Sequence, residues 1–460
     1  MSIRENGRLL SWYGDDFTGS AAVLEVLAFA GVEAVLFLDV PTQAQLAAFP
    51  NAQAIGLAGV ARSFSPKWMD ENLPPIFEAL ARLGAPLVHY KICSTLDSSP
   101  EIGSIGRAAE IGQRHLDSAW SPVLVAAPPI GRYQAFGHLF ASSSQGTVRL
   151  DRHPVMSRHP VTPMGESDVA LHLSKQTSEK AGCIDLLGLR GPDKGLGALK
   201  ALRNEGARLI TCDTIDQSDL VAAGQLIWNH RAEAPLVIGS QGIEYALIAY
   251  WNAISALPVR AAPQSVGDVS QIAAVSGSVS ATTAEQIAWA GNNGFGLIAF
   301  DAAAVADPAG RARAVNDAVE DSKAVLSSGK SVLVHSARGP DDPAVETFRK
   351  AVSASGLDLA EANAEVGKAL GQVLSRLLQE TSIQRAVISG GDTSGHATRQ
   401  LGVDALTALA PTVPGAALCA AHGTLARPLQ LALKGGQMGT PDYFGWIRAG
   451  GGAAYRNGQR

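Results

Sequence analysis

Residues 9–20, LLSWYGDDFTGS, constrain the fold of this chain more than any other stretch. The apolar run from Leu9 to Tyr13 is long enough for a short buried strand. Gly14 breaks it just ahead of two adjacent carboxylates, Asp15 and Asp16. Thr18, Gly19 and Ser20 then lead into a helical pattern with Val23, Val26, Leu27 and Ala30 on one face, and Gly31 supplies a C-terminal stop. A strand that enters a helix through such a turn belongs to an open α/β sheet, where ligands bind beyond the carboxyl ends of the strands. One of the two Asp residues can serve as a helix N-cap. Capping does not account for both, nor for a glycine at which a ligand can approach the backbone.

The alternation continues downstream. Apolar runs predict strands at 34–38, 53–57, 87–90, 123–127, 208–212 and 236–238. Helical patterns occupy 66–83, 101–115, 195–204, 217–230 and 243–251, and Pro74–Pro75 are expected to kink or split the first of these. From 131 to 175 the rhythm stops. That stretch carries His138, His153, His159 and His172 without metal-ligand spacing, and an irregular segment of this length points to function. Residues 257–269, rich in Pro and small residues, read as a linker between domains at 1–256 and 270–460. Beyond it, strands are predicted at 271–276, 297–300, 331–336 and 385–388. Helices are predicted at 282–292, 311–327 and 359–380, with another beginning near His396. The fold class is therefore α/β: two domains, each a largely parallel sheet flanked by helices.

Composition narrows the function. A chain of 460 residues exceeds a single core, and 46% hydrophobic with 17% charged residues is the balance of a globular enzyme. A net charge of −5 argues against nucleic-acid or membrane-surface partners. No apolar run has membrane-spanning length and the N-terminus lacks a signal-peptide core. Cys93, Cys183, Cys212 and Cys419 form no CxxC pair, which fits a reducing cytoplasm and no zinc or disulfide framework. A homo-oligomer is compatible with this composition.

Three loops of the second half are built from Gly with Ser, Thr or Lys: residues 276–280, residues 389–395, and Lys434-Gly435-Gly436-Gln437-Met438-Gly439. Glycines let backbone N–H groups converge and a following helix adds its positive end, which makes an anion cradle suited to phosphate. Lys434 could meet a phosphate as a point charge. Other patterns fail. Gly329-Lys330-Ser331 lacks the first Walker A glycine, because residue 324 is Ala, and no GxGxxG opens a βαβ unit. The Gly391–Gly395 pattern has Thr393 where a nucleophile elbow needs Ser.

These residues resemble the four-carbon acid sugar kinases, two-domain ATP-dependent enzymes with an N-terminal sugar-acid domain and a C-terminal nucleotide domain. Asp15-Asp16-Phe17-Thr18-Gly19-Ser20 matches the family's DDFTGA opening. Lys91 with Ser94-Thr95-Leu96, Gly131-Arg132 and Gly137-His138 match further segments, and Arg62-Ser63 stands where the family has a Ser-Arg pair, so that only Arg62 carries over. Ser276-Gly277-Ser278, Ser389-Gly390-Gly391-Asp392-Thr393-Ser394 and Lys434-Gly435-Gly436 match its nucleotide-site motifs. The chain departs from the family's KxDSTLRGN segment, with Cys93 in place of Asp and Asp97-Ser98-Ser99 in place of Arg-Gly-Asn.

The resemblance implies phosphoryl transfer from ATP to a terminal hydroxyl of a small 3-oxo sugar acid, with the active site in the cleft between the domains. An anion in place of a cation beside a carboxylate site changes which acid is accepted, so a branched 3-oxo-isoapionate type joins the 3-oxo-tetronate type as a candidate. Asp16 or Asp15 would orient and deprotonate the hydroxyl. Arg62, Lys91 and Arg132 would hold the carboxylate or the moving phosphoryl group, and Ser94, Thr95 and His138 would complete the substrate site. Ser276, Gly277, Ser278, Gly390, Gly391, Asp392, Thr393, Ser394, Gly435 and Gly436 would hold the nucleotide. Mg²⁺ would accompany it, with Asp392 as a contributor. The rival readings are a two-lobed sugar-acid-binding protein without chemistry and a hydrolase using Ser394 or Ser278.

Overall fold

The computed structural model describes residues 7–143, 146–159, 161–257 and 263–452, the side chain of Asp392 excepted. The chain divides into two compact units, Met1–Arg260 and Ala261–Arg460. Among the described residues no helix is long and apolar enough to cross a membrane.

The first unit begins with β1 (Leu10–Gly14), α1 (Phe17–Phe29), β2 (Ala34–Phe37), α2 (Gln43–Ala47), β3 (Ala54–Ala58), α3 (Pro66–Arg82), β4 (Val88–Lys91), α4 (Ile105–His115) and β5 (Ser121–Leu124). It continues with β6 (Arg132–Ala135), β7 (His138–Ser143), β8 (Gly146–Arg149), α5 (Val169–Ser174), β9 (Ala181–Ile184), α6 (Leu186–Leu189), α7 (Leu196–Asn204), β10 (Leu209–Cys212), α8 (Gln217–Asn229), β11 (Leu236–Gly239) and α9 (Gly242–Ala253). Eight strands form one sheet in the order β2-β3-β1-β4-β11-β5-β10-β9, with every neighbouring pair parallel. Helices cover both faces of such a sheet, which is why β1, β3, β4, β10 and β11 are buried along their whole length. β1 lies between β3 and β4, so the chain leaves it to one side and returns on the other. That reversal opens a crevice beyond the end of β1.

Three expectations change in this unit. α3 runs unbroken through Pro74 and Pro75, because its opposite face buries Met69, Leu73, Phe77 and Leu80 completely and that packing outweighs two lost backbone hydrogen bonds. α4 starts at Ile105, capped by Ser104, and not at residue 101, because Gly103 takes a left-handed φ of +65° just before it. The segment expected to be irregular contains an antiparallel sheet, β6-β7-β8, with Arg132 on its first strand and His138 on its second.

The second unit comprises β12 (Ala273–Ser276), α10 (Ala281–Asn292), β13 (Phe295–Ala299), α11 (Pro308–Ser327), β14 (Ser331–His335), α12 (Pro343–Ser355), α13 (Leu359–Glu380), β15 (Arg385–Ser389), α14 (Gly391–Arg399), β16 (Val403–Ala410), β17 (Leu418–Gly423), β18 (Leu429–Lys434) and α15 (Tyr443–Arg448). Its sheet runs β13-β14-β12-β15-β18-β17-β16. The first five strands are parallel and the last two antiparallel. On one face Ile272, Ala274, Leu333, Val387 and Ala432 pack against Ile287 of α10 and against Tyr443, Phe444 and Trp446 of α15.

Candidate functional site

In the first unit the strand ends bring four charged side chains together. Asp15 follows β1, its N–H donating to Lys91 O at 2.9 Å and its carbonyl accepting from Arg62 N at 3.0 Å. Arg62 sits on the single turn after β3 and donates to both carboxylates. Its Nη2 is 2.6 Å from Asp15 Oδ1 and 2.8 Å from Asp16 Oδ1, and its Nε is 3.2 Å from Asp15 Oδ2. Asp16 is the N-cap of α1, accepting from Gly19 N at 3.0 Å and from Thr18 Oγ1 at 2.6 Å. Lys91 closes β4 and is buried, its Nζ donating to Ile92 O at 2.7 Å. A Cβ on Gly19 would stand 2.3 Å from Asp16 Oδ1 and 2.8 Å from Lys91 Nζ, so the glycine is what lets carboxylate and ammonium close over the helix start.

The two carboxylates differ in character. Burial holds the Asp15 carboxyl above its ordinary value against the pull of Arg62. Burial acts on Asp16 too, but Arg62 and Lys91, with the bonds from Thr18 and Gly19, hold it below the usual range. The Asp15 side chain is 2% exposed and that of Asp16 is 23%, so Asp16 is the one a ligand can reach.

Two carboxylates against two cations leave this cluster with no charge to spare. Arg132 differs. Among the described residues it has no carboxylate partner: its Nη1 donates only to the carbonyls of Ile130 and Gly131, and its buried Nε has no partner. Burial pulls its guanidinium below the ordinary value, and Cys93 is close enough that its thiolate form would oppose that shift. Cys93 also lies in the fields of Asp97, Arg62 and Lys91, with burial first in pushing its thiol up. Arg132 and Cys93 thus belong to the same site as the Asp15 cluster. Thr95 Oγ1 bonds Cys93 Sγ at 3.0 Å and donates to Asp97 Oδ1 at 3.2 Å, and Ser94 is half-buried on the same loop. His138 is bonded elsewhere, Nδ1 to Ser167 Oγ at 3.0 Å, and among the described residues no hydrogen bond or ion pair joins it to Asp15 or Asp16.

In the second unit the three glycine loops meet. Gly277 N donates to Ser389 O and Gly390 N to Lys434 O, which fixes all three strand ends in one register. A Cβ would strike Thr393 Oγ1 at 2.3 Å from Gly277 and at 2.8 Å from Gly390, and Ser278 Oγ at 2.6 Å from Gly436. Gly390, at φ +125°, holds a conformation that side chains disfavour. Ser280, the N-cap of α10, donates to Gly436 O, and so does Thr283 at 3.0 Å. α14 begins at Gly391 and not near His396, because Ser394 bonds back to Gly390 O through both its N–H and its Oγ and so closes the first turn. Gly391, Asp392 and Thr393 therefore form a helical first turn whose N–H groups have no acceptor within the helix. The side chain of Asp392 lies outside the described residues. Ser394 is turned inward, Oγ donating to Gly390 O at 2.6 Å, and offers no nucleophile.

Beside the loops lies a cavity of about 640 Å³, lined on one side by Ser278, Ser280, Gly390, Gly391, Thr393 and Gly436 and on the other by Val345, Phe348, Leu359 and Val366. A polar phosphate end joined to an apolar wall suits a nucleotide. Among the described residues no three His, Cys, Asp or Glu side chains gather to hold a metal. A Mg²⁺ ion accompanying a nucleotide would take part of its coordination from phosphate oxygens, as such ions do in many phosphate-transferring sites. Thr283 was not foreseen. Its signal is a hydroxyl three residues after the N-cap Ser280, on the side of α10 that faces the loops.

Residues 10–247 match the model of a sugar-binding N-terminal domain and residues 273–444 that of a nucleotide-binding C-terminal domain. The chain is 46% identical over 446 residues to the 3-oxo-isoapionate kinase of Paraburkholderia graminis, covering 96% of this chain and 95% of that one. It is 31% identical over 439 residues to the 3-oxo-tetronate kinase of Cupriavidus necator, covering 95% of each. A solved structure from Salmonella typhimurium LT2 superposes with a TM-score of 0.77 at 26% identity, over 96% of this chain and 98% of that one. With both domain models matched in order and relatives aligned over nearly its full length, the chain belongs to the four-carbon acid sugar kinase family.

Proposed function

We propose that this protein transfers the γ-phosphoryl group of ATP to a terminal hydroxyl of a small 3-oxo sugar acid. The observation that carries the reading is Arg132, a half-buried cation whose buried Nε has no partner and which has no carboxylate partner among the described residues, beside the compensated Asp15–Asp16–Arg62–Lys91 cluster. It is the group on which a substrate carboxylate would settle, as a charge-assisted hydrogen bond replaces an unmet donor. The relative named 3-oxo-isoapionate kinase supports a branched acid of that type, and the 3-oxo-tetronate kinases support a linear one.

In this reading Asp16 orients the acceptor hydroxyl and takes its proton as oxygen attacks the γ-phosphorus and ADP departs. Asp15 and Arg62 hold Asp16 in place, and the ammonium of Lys91 tempers the charge that gathers there. A carboxylate held at low pKa is a weak base, so rate comes chiefly from positioning and charge stabilisation, as suits a loose phosphoryl-transfer transition state. Bound Mg²⁺ would neutralise phosphate charge. The loops at Ser276–Ser278, Gly390–Ser394 and Gly435–Gly436 would hold the phosphates with backbone N–H groups, and the apolar wall would take the base. The three converging loops favour this over a sugar-acid-binding protein without chemistry, which has no use for a phosphate cradle. ADP release measured over a panel of sugar acids tests it. Turnover is expected with 3-oxo acids and not with the matching neutral sugars, and ADP release that is independent of any acid would overturn it.

A further inference from the structure

Four side chains stand side by side along the carboxyl edge of β14, β12, β15 and β18: His335, Ser276, Ser389 and Lys434. The strand register pairs His335 with Ser276, Ser276 with Ser389, and Ser389 with Lys434, so all four point to the sheet face covered by α10 and α15. None is more than 2% exposed. Among the described residues, Ser276 Oγ, Ser389 Oγ and both ring nitrogens of His335 have no hydrogen-bond partner. Lys434 Nζ donates to Gly435 O at 3.1 Å and to Thr283 Oγ1 at 3.3 Å. Thr283 Oγ1 in turn lies 3.0 Å from Ser278 Oγ and 3.0 Å from Gly436 O. The lysine thus sits one hydroxyl behind the phosphate loops, and not at their surface as its place in the sequence suggests.

We propose that Lys434 is the buried counter-charge of the bound nucleotide, taking up a proton when the phosphates arrive and acting on them through Thr283 and Ser278. The proposal rests on the nucleotide reading above. A buried ammonium needs a compensating anion, and no neighbouring element supplies one among the described residues. β15 presents Ser389, α10 presents Thr283 and Gln286, and α15 presents the Tyr443 ring, 6.0 Å from Nζ to its centroid. His335, further along the row, is held neutral by burial, at about 4. Burial alone pulls Lys434 down to about 7. Phosphate charge a few ångströms away, across a poorly screened interior, favours the ammonium and raises that value in the complex. Lys434 is a positioning residue in this scheme, since it touches no substrate atom.

The sign follows from linkage. In the free protein the proton is lost as pH rises through about 7, whereas the complex keeps it to higher pH. Between the two values ADP binding takes up a proton, and affinity falls by up to about tenfold per pH unit. The test is titration calorimetry of the full chain with ADP and Mg²⁺, in buffers of different ionisation enthalpy, at pH 8, where the ADP phosphates are already ionised. Wild type is expected to take up close to one proton. Lys434→Arg, charged at every pH, is expected to bind ADP without proton exchange and with a flat pH profile. Lys434→Met should lose both the proton uptake and affinity. Binding without proton uptake in wild type, or uptake that persists in Lys434→Met, overturns the proposal alone. Absence of ADP binding overturns the nucleotide reading as well. Should neither variant fold, the wild-type profile decides, since affinity that stays flat from pH 7 to 9 overturns the proposal.

Discussion

Replacing Gly19 by Ala adds one methyl group at the centre of the first unit's charge cluster. That methyl would stand 2.3 Å from Asp16 Oδ1 and 2.8 Å from Lys91 Nζ, where ordinary contact begins at 3.4 Å, so the carboxylate must retreat by about 1 Å. The residue lies inside α1 with no left-handed φ, so the backbone itself accepts alanine, and helix propensity favours it by about 1 kcal/mol. Weakening the Asp16 cap costs about the same, so net stability should change by less than about 1 kcal/mol. Catalysis does not share this cancellation. A misplacement of about 1 Å in a positioning group costs on the order of 10²-fold, or about 2.7 kcal/mol of transition-state stabilisation. The assay is kcat/KM for ADP release with the preferred 3-oxo acid, beside thermal melting of the same preparations. A variant that melts with wild type but retains more than about a third of its kcat/KM would refute the argument.

Arg132→Met should raise KM for the sugar acid by about 10–10²-fold, the worth of a half-buried charge-assisted pair, with a much smaller effect on KM for ATP. Asp16→Asn, which keeps the cap but removes the base, should lower kcat by about 10²–10⁴-fold and leave ADP affinity near wild type, as equilibrium binding would show. Cys93→Asp combined with Asp97→Arg should shift relative kcat/KM toward linear four-carbon acids, because a mismatched acid then leaves a buried group unpaired. Away from chemistry, His89 and Glu244 form a fully buried pair, Nδ1 to Oε1 at 2.7 Å, with the other ring nitrogen 3.0 Å from Gly239 O. Glu244→Ala should cost about 3–5 kcal/mol, read by denaturant unfolding.

Strands buried on both faces announce themselves as unbroken apolar runs, so β1, β2, β3, β10 and β14 could be located from the sequence to within a residue or two. Sequence alone is weaker where partners decide the structure. β6 to β8 are short and half-buried, with polar residues such as Arg132, Gln134 and Thr147 in the strands, and their pairing is settled by one another and not by local pattern. β16 to β18 follow one another with no helix between them and lack the alternating rhythm that marked the rest. The start of α14 was hidden because Gly391-Asp392-Thr393-Ser394 is poor helix material, and its turn is held by Ser394 bonding back to Gly390. At the site, Asp15, Asp16 and Arg62 were legible as chemistry. Arg132's want of a partner depends on what surrounds it and could be learned only from structure. The burial of Lys434 likewise comes from α10 and α15 folding over it, and neither helix is near it in sequence except through Tyr443.

The position of β18 has a consequence for how the protein is made. This strand, the last of the second unit's sheet to leave the ribosome, is inserted between β15 and β17 near the middle of the sheet, and its end supplies the Gly435–Gly436 side of the phosphate loops. Residues 276, 390 and 436 must therefore all be present before the loops can interlock. A nascent chain would already have completed the whole of its first unit while still unable to grip a nucleotide. The pairings of Ser280 and Thr283 with Gly436 span 156 and 153 residues, the long-range kind of contact that slows folding. On the nucleotide reading proposed above, the site is complete only once β18 has paired, and a bound nucleotide would favour the closed sheet over its open forms.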